Sequence, residues 1–263
     1  MLPAVDSKPC CALLYELPLT SLLLGESFHP GGHRLTRQLA EQALVGPGSQ
    51  VLDIACGLGD SARLLADEFG ASVTAVDYSN VLLEQARQIT AAAGLSQRVH
   101  FQHAEVHQLP FATQTFDVVF CECALCTFAD APQVLTEVLR VLKPGGRLAL
   151  SDVTLNAPVP DSLQSVLGHT LCMAGARSAD AYQNLIVAAG FKSPRCHDVS
   201  RVLLDTVQQI EKRLKLAEVI TALQQTSLPL EFGHTDAAIG VARHFIQSGG
   251  LGYSLFIARS PFL

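Results

Sequence analysis

The sequence predicts an α/β fold: a twisted, doubly wound, mostly parallel sheet with helices on both faces, an N-terminal helical cap and a helical insertion before the last strand. Three observations carry this expectation. Short apolar runs alternate with stretches of helical period. The first such run turns through Gly57 and Gly59, in "DIACGLGDS", directly into a helix, and Asp77 closes the next apolar run. At 263 residues and 49% hydrophobic side chains the chain can bury a full core, and a single domain accounts for its length. Residues 1–45 read as the cap, 46–155 as a ligand-binding core, and 156–263 as the helices and last strands of the opposite side. The formal charge of −6 arises from 24 acidic against 18 basic residues, with no basic run interleaved with aromatics. Nucleic acid is therefore not an expected partner, because the phosphate-neutralising surface is missing.

In chain order, "CCALLYELPLTSLLL" (10–24) reads as an amphipathic helix or lid, because Glu16 and Pro18 interrupt it and it is too short to span a bilayer. No membrane association is expected, and the composition suits a cytoplasmic protein. "SFHPGGHRLT" (27–36) supplies a Pro-Gly-Gly turn before the next helix. Segment 48–79 is a β-α-β unit, with apolar runs at 51–55 and 73–76 around a helical stretch, which implies a parallel strand pair with a right-handed crossover. Further strands follow at 99–103, 116–121 and 147–152, separated by helices at 80–94 and 132–142, and "KPGG" (143–146) is the turn that ends the latter. Helices are expected at 161–173, at 178–190 with Gly190 as C-terminal cap, and at 203–225, before the alternating strand in "GLGYSLFIARSPF".

The glycine loop, Asp77, "AEVHQLPF" (104–111), "FDVVF" (116–120) and "LRVLKPGGRLALSD" (139–152) together make the chain resemble the class I S-adenosylmethionine-dependent methyltransferases. A nicotinamide-dependent enzyme more often carries a third glycine where Ala62 stands. The likeness implies a Rossmann-like, seven-stranded sheet and S-adenosyl-L-methionine as cofactor. It implies Asp53, Cys56, Gly57 and Gly59 around the methionine part, Asp77 and Tyr78 at the ribose and adenine, Ala104 and Glu105 at the adenine amino group, and Cys121 near the sulfonium methyl.

Ligands of open α/β sheets sit beyond the carboxyl ends of the strands, so "CECALC" (121–126) stands where a methyl acceptor must wait. Here the chain is most similar to the arsenite methyltransferases, through Cys123 and through "CMAGARSADAYQNLIVAAGF" beginning at Cys172. That likeness implies a trivalent metalloid held by Cys123 and Cys172, with Cys126 as a further candidate thiol; thiolates are soft ligands, and the lone pair of the metalloid attacks the methyl carbon. The chain departs from that family in having Glu122 before the cysteine, in Cys10 and Cys11, and beyond residue 200.

Strand alternation puts Cys121 and Cys123 on one face and Glu122 on the other. Other readings stay open: a small organic acceptor with the cysteines as packing, a structural zinc on Cys121, Cys123, Cys126 and Cys172, or a non-catalytic cofactor-binding or assembly protein. Arg34 is a candidate for the cofactor carboxylate, and a solvated helix start is its plainer reading. A hydroxyl acceptor would need a base, for which His29, His33, His103, His107 and His169 are available, and no pattern singles one out.

Overall fold

The computed structural model describes Glu16 and residues 27–164, 175–224 and 232–262. Cys10, Cys11, Cys172, His169, the helix expected at 10–24 and most of the one at 161–173 lie outside them.

The described chain runs α1 (Gly32–Gln42), β1 (Gln50–Ile54), α2 (Asp60–Phe69), β2 (Ser72–Asp77), α3 (Asn80–Ala92), β3 (Val99–His103), β4 (Phe116–Glu122), α4 (Ala131–Val141) and β5 (Leu142–Leu155). It continues with α5 (Asp161–Gln164), α6 (Ala179–Ala188), β6 (Lys192–Asp198), α7 (Arg201–Gln224), α8 (Phe232–Gln247) and β7 (Leu251–Arg259). The sheet has seven strands in the order β3-β2-β1-β4-β5-β7-β6. All pairings among β1 to β5 are parallel, and β7 runs antiparallel between β5 and β6. The expected doubly wound sheet is present, and the helical insertion before the last strand is α7 with α8.

Helix starts follow from local chemistry. Ser79 caps α3 by accepting from the Leu82 N–H at 3.1 Å, Asp130 caps α4 through the Gln133 N–H at 3.0 Å, and Ser178 caps α6 through the Ala181 N–H at 3.2 Å. Alternate residues of the strands feed two apolar layers. One packs Val51, Val73, Val118, Phe120 and Ala149 under α1, α2 and α8; the other packs Leu52, Ile54, Val119, Cys121 and Leu150 under α4 and α6.

Two expectations are corrected. "KPGG" is not a turn before a later strand. Leu142 already pairs with Phe116 and Arg147 pairs with Val118, so residues 143–146 loop out inside β5, held by Lys143 Nζ at 2.8 Å from Asp117 Oδ1. The sequence reading also missed β6, whose exposed side chains and Pro194 disguise an edge strand that pairs with β7 on one side only.

Candidate active site

The carboxyl ends of β1, β2 and β4 converge on the glycine loop. Between β1 and α2 the backbone enters the left-handed region at Ala55 (φ 56°), Gly57 (φ 52°) and Gly59 (φ 72°). A Cβ on Gly59 would stand 2.6 Å from the Phe101 ring, so only glycine lets the loop lie against β3. The Gly57 N–H donates to Asp77 Oδ2 at 2.8 Å and the Ser79 N–H to Asp77 Oδ1 at 2.8 Å. Burial raises the Asp77 carboxyl, and these backbone donors oppose that rise.

Three connected spaces open here. The first, about 170 Å³, is lined by Gly57, Asp77, Tyr78, Ala104, Glu105 and Cys123 among others. A second, about 50 Å³, is walled by Asp53, Cys56, Gly57, Asp60 and Glu122. The third is a chamber of about 660 Å³ between the 27–34 segment, α7 and the start of β7. Phe28 borders all three, and Cys123 lies between the first and the chamber.

The small space is electrostatically unfinished. Asp53 is 3% exposed and its Oδ2 is buried without a hydrogen-bond partner. Burial first, then the Glu122, Asp77 and Asp60 carboxylates, hold its carboxyl well above its ordinary range. Glu122 is itself enclosed: Ser61 Oγ donates to it at 2.6 Å, Thr36 Oγ1 at 3.2 Å, and His29 Nε2 lies 3.7 Å away. Three acids around one small recess, with Asp77 near enough to act on Asp53, call for a cationic ligand.

The large chamber has a different character. Its inner wall is apolar, from Val153, Leu203, Ile210, Ile246 and Leu251, and Arg34, Lys212 and Arg213 line it as well. On the 27–34 side, His33 Nε2 lies 2.8 Å from Asp60 Oδ1, with Arg63 Nη2 3.4 Å from the same oxygen. Donation from His33 Nε2–H to the carboxylate leaves Nδ1 as an acceptor, and among the described residues Nδ1 has no hydrogen-bond partner. His29 differs, its Nδ1 lying 3.3 Å from the Pro30 carbonyl while Nε2 faces Thr36, Ser61 and Glu122.

Residues 46–190, more than half of the chain, match the family described as "Methyltransferase domain". The chain is a class I S-adenosylmethionine-dependent methyltransferase. It is 37% identical to methyltransferase GfsG of Streptomyces halstedii over 64% of this chain and 62% of that protein, so it spans less than two thirds of that relative. It is 32% identical to 27-O-demethylrifamycin SV methyltransferase of Amycolatopsis mediterranei over 87% of this chain and 83% of that protein. A shorter match, 34% identical over 57% of this chain and 39% of the relative, is to arsenite methyltransferase of Halobacterium salinarum. Among solved structures, one described as a "putative sarcosine dimethylglycine methyltransferase" from Galdieria sulphuraria shares the fold at TM-score 0.78 and 18% identity, over 92% of this chain and 96% of that one.

The methyltransferase uses S-adenosylmethionine, and the recess fits it: an orphaned buried carboxylate oxygen, acids on several sides and a loop whose Gly57 and Gly59 leave room at the backbone suit a ligand bearing a sulfonium and an ammonium. Asp53, Cys56, Gly57, Asp77, Tyr78, Ala104 and Glu105 all line the first two spaces, and Gly59 shapes the loop behind them.

The cysteines depart from expectation. Cys121 does not border the cofactor space: it is 1% exposed in the layer under α4, where burial drives its thiol well above the ordinary value. Cys126 is 3% exposed in the opposite layer, and its N–H is tied to Asp152 Oδ2 at 2.8 Å. Cys121 and Cys123 do not share a face, because β4 ends at Glu122 and Cys123 turns left-handed (φ 53°), packing beside the α1 layer that Glu122 also faces. Of the described thiols in "CECALC", Cys123 alone lines a cavity, and no group of three or more metal-ligating side chains forms among the described residues. Arg34 is 74% exposed at the chamber, 3.8 Å from Asp205, and does not border the cofactor space. No sequence pattern singles out Glu122, Asp60 or the His33 pair; a histidine four residues after another beside a Pro-Gly-Gly turn is visible, but its acid partner is 27 residues away.

Proposed function

We propose that this methyltransferase methylates a hydroxyl group of a bulky, largely apolar organic molecule held in the 660 Å³ chamber. One observation carries the reading: the chamber adjoins the cofactor space and contains a histidine, His33, oriented by a carboxylate at 2.8 Å. A hydroxyl is a poor nucleophile until its proton has a destination, and a positioned imidazole supplies one. The relative matched over 87% of the chain, whose name specifies a 27-O-demethyl compound, supports an oxygen acceptor.

Asp77 would accept from the ribose hydroxyls, the backbone beside Ala104 and the Glu105 carboxylate would hold the adenine, and Asp53 would hold the ammonium of the methionine part. S-adenosylmethionine supplies an electrophilic methyl group on a sulfonium. Phe28 and the apolar chamber wall exclude water and orient the acceptor. His33 Nδ1 takes the hydroxyl proton, and Asp60 stabilises the resulting imidazolium through Nε2–H. Of the thiols implied for a metalloid, Cys123 lines a cavity, Cys126 does not border any of the three spaces and Cys172 lies outside the described residues, so the same assay includes that arm.

Purified enzyme is incubated with labelled cofactor and a panel of hydroxylated macrocycles and polycyclic phenols, with arsenite plus thiol reductant alongside. The expected result is a methyl ether product, with His33→Gln lowering kcat about 10²–10⁴-fold at unchanged cofactor affinity. Turnover on arsenite alone, abolished by Cys123→Ser, would replace the proposal with thiol capture.

A further inference from the structure

At the end of the sheet away from the site, three arginines share one face. Arg147 in β5 pairs in register with Arg259 in β7, and Arg195 in β6 pairs with Ile257, two residues along β7 on the same face. Lys192 also pairs with Arg259. Like charges directly opposite on antiparallel strands destabilise a sheet. Among the described residues, none of these four cations makes an ion pair or a hydrogen bond through its side chain. They gather in a chain whose net charge is −6.

Protection of an exposed edge explains part of such a pattern, since edge strands carry charge to prevent pairing with other chains. It covers Lys192 and Arg195 on β6. It does not cover Arg147 and Arg259, because β5 and β7 are paired on both sides. On the β6 side of Arg259 lies a recess of about 240 Å³ lined by Ser193, Arg195, Ile257 and Arg259, with Arg147 paired to Arg259 from the other side. Ser193 holds φ 49°, left-handed for a non-glycine residue, at the point where the β6 register shifts between Lys192 and Arg195. That bulge offsets Arg195 from the ladder next to Arg259. Burial, and then the Arg259 and Arg195 charges, lower the Arg147 guanidinium from its ordinary value, as expected of cations lacking a counter-charge.

We propose that this recess is a binding site for a small oxyanion carrying two or more negative charges, of the phosphate-ester or diphosphate class. Guanidinium groups donate in a planar fork that matches phosphate oxygens bidentately, and two lining one recess, with a third next to them, suit a multiply charged group better than a single carboxylate. The site is separate from the methyl-transfer centre: Ser151, the β5 partner of Glu122, lies four residues beyond Arg147, about 13 Å at roughly 3.3 Å per residue.

Titration calorimetry of the full chain with inorganic pyrophosphate, at ionic strength held constant with chloride, tests the site. Nucleoside diphosphate and citrate serve as parallel ligands. Saturable binding of pyrophosphate to the wild type is expected, weakened about tenfold or more in each of Arg195→Gln and Arg259→Gln, as for loss of a charge-assisted pair. Both variants should keep cofactor affinity and methyl transfer, which shows that they fold. Tighter binding of the nucleoside diphosphate supports the proposal and identifies a nucleotide source, whereas equal binding of citrate overturns the phosphate class. Absence of saturable binding, or equal affinity in wild type and variants, overturns the site itself. Arg259→Gln should also raise Tm without added anion by relieving the Arg147–Arg259 repulsion, and bound pyrophosphate should raise the wild-type Tm more than that of the variant.

Discussion

Asp53 shows how one side chain reports on the ligand its surroundings expect. Its carboxyl is buried, its Oδ2 has no partner, and three other carboxylates press on it. In the cofactor-free protein the native state therefore holds the Asp53 proton more tightly than the unfolded chain does, so its contribution to stability is present below the ordinary value of 3.8 and is lost as pH rises through the raised native value. Asp53→Asn should accordingly stabilise the cofactor-free protein relative to wild type, by about 1–3 kcal/mol at neutral pH, with a smaller advantage near pH 4; denaturant unfolding at several pH values reads this. The same variant should bind S-adenosylmethionine about tenfold or more weakly, because the ammonium loses its carboxylate. Greater instability of the variant at neutral pH would show that Asp53 is held by a cation within the protein. Cys123→Ser belongs to the same scale: with an organic hydroxyl as acceptor, kcat/KM should stay within about threefold of wild type.

Among the elements, the β1–α2 loop bears the tightest constraint. Gly59→Ala puts a methyl group into the Phe101 ring and a side chain into a left-handed backbone. The expected loss is about 1–2 kcal/mol from conformation and about 1–3 kcal/mol from overpacking. Phe101→Leu in the same background should recover the second part and leave the first, which thermal unfolding of the double variant measures. Legibility in the sequence followed the same divide. The glycine loop, Asp77 and the alternation of strands with helices were readable because glycine conformation and hydrophobic period are local properties. The outlooped 143–146 segment and β6 were not, because pairing partners far along the chain define them. The thiols were misplaced for a related reason: alternation held through Glu122 and failed at Cys123, where a positive φ that no residue type announces turned the side chain to the other layer.

At the scale of the whole molecule, the parallel strands carry the space that fits the cofactor while α7, α8 and the 27–34 segment enclose the large chamber. With the proposed acceptor in that chamber, acceptor choice is separable from cofactor binding. Ile210→Trp on the chamber wall should raise the acceptor KM about tenfold or more with cofactor affinity unchanged, whereas a chamber unrelated to the acceptor would leave KM as it was. The fold and the cofactor family were legible across this scale, since several short patterns had to agree. The chamber proposed for the acceptor was not, because His33, Asp60 and its apolar wall meet only in three dimensions. Methyl transfer from carbon-13-labelled S-adenosylmethionine, with the product resolved by NMR, decides the acceptor atom. A labelled methyl group on an oxygen of the organic acceptor is expected, formed at a rate that His33→Gln lowers; a labelled methyl group on arsenic, nitrogen or carbon would overturn the proposed acceptor.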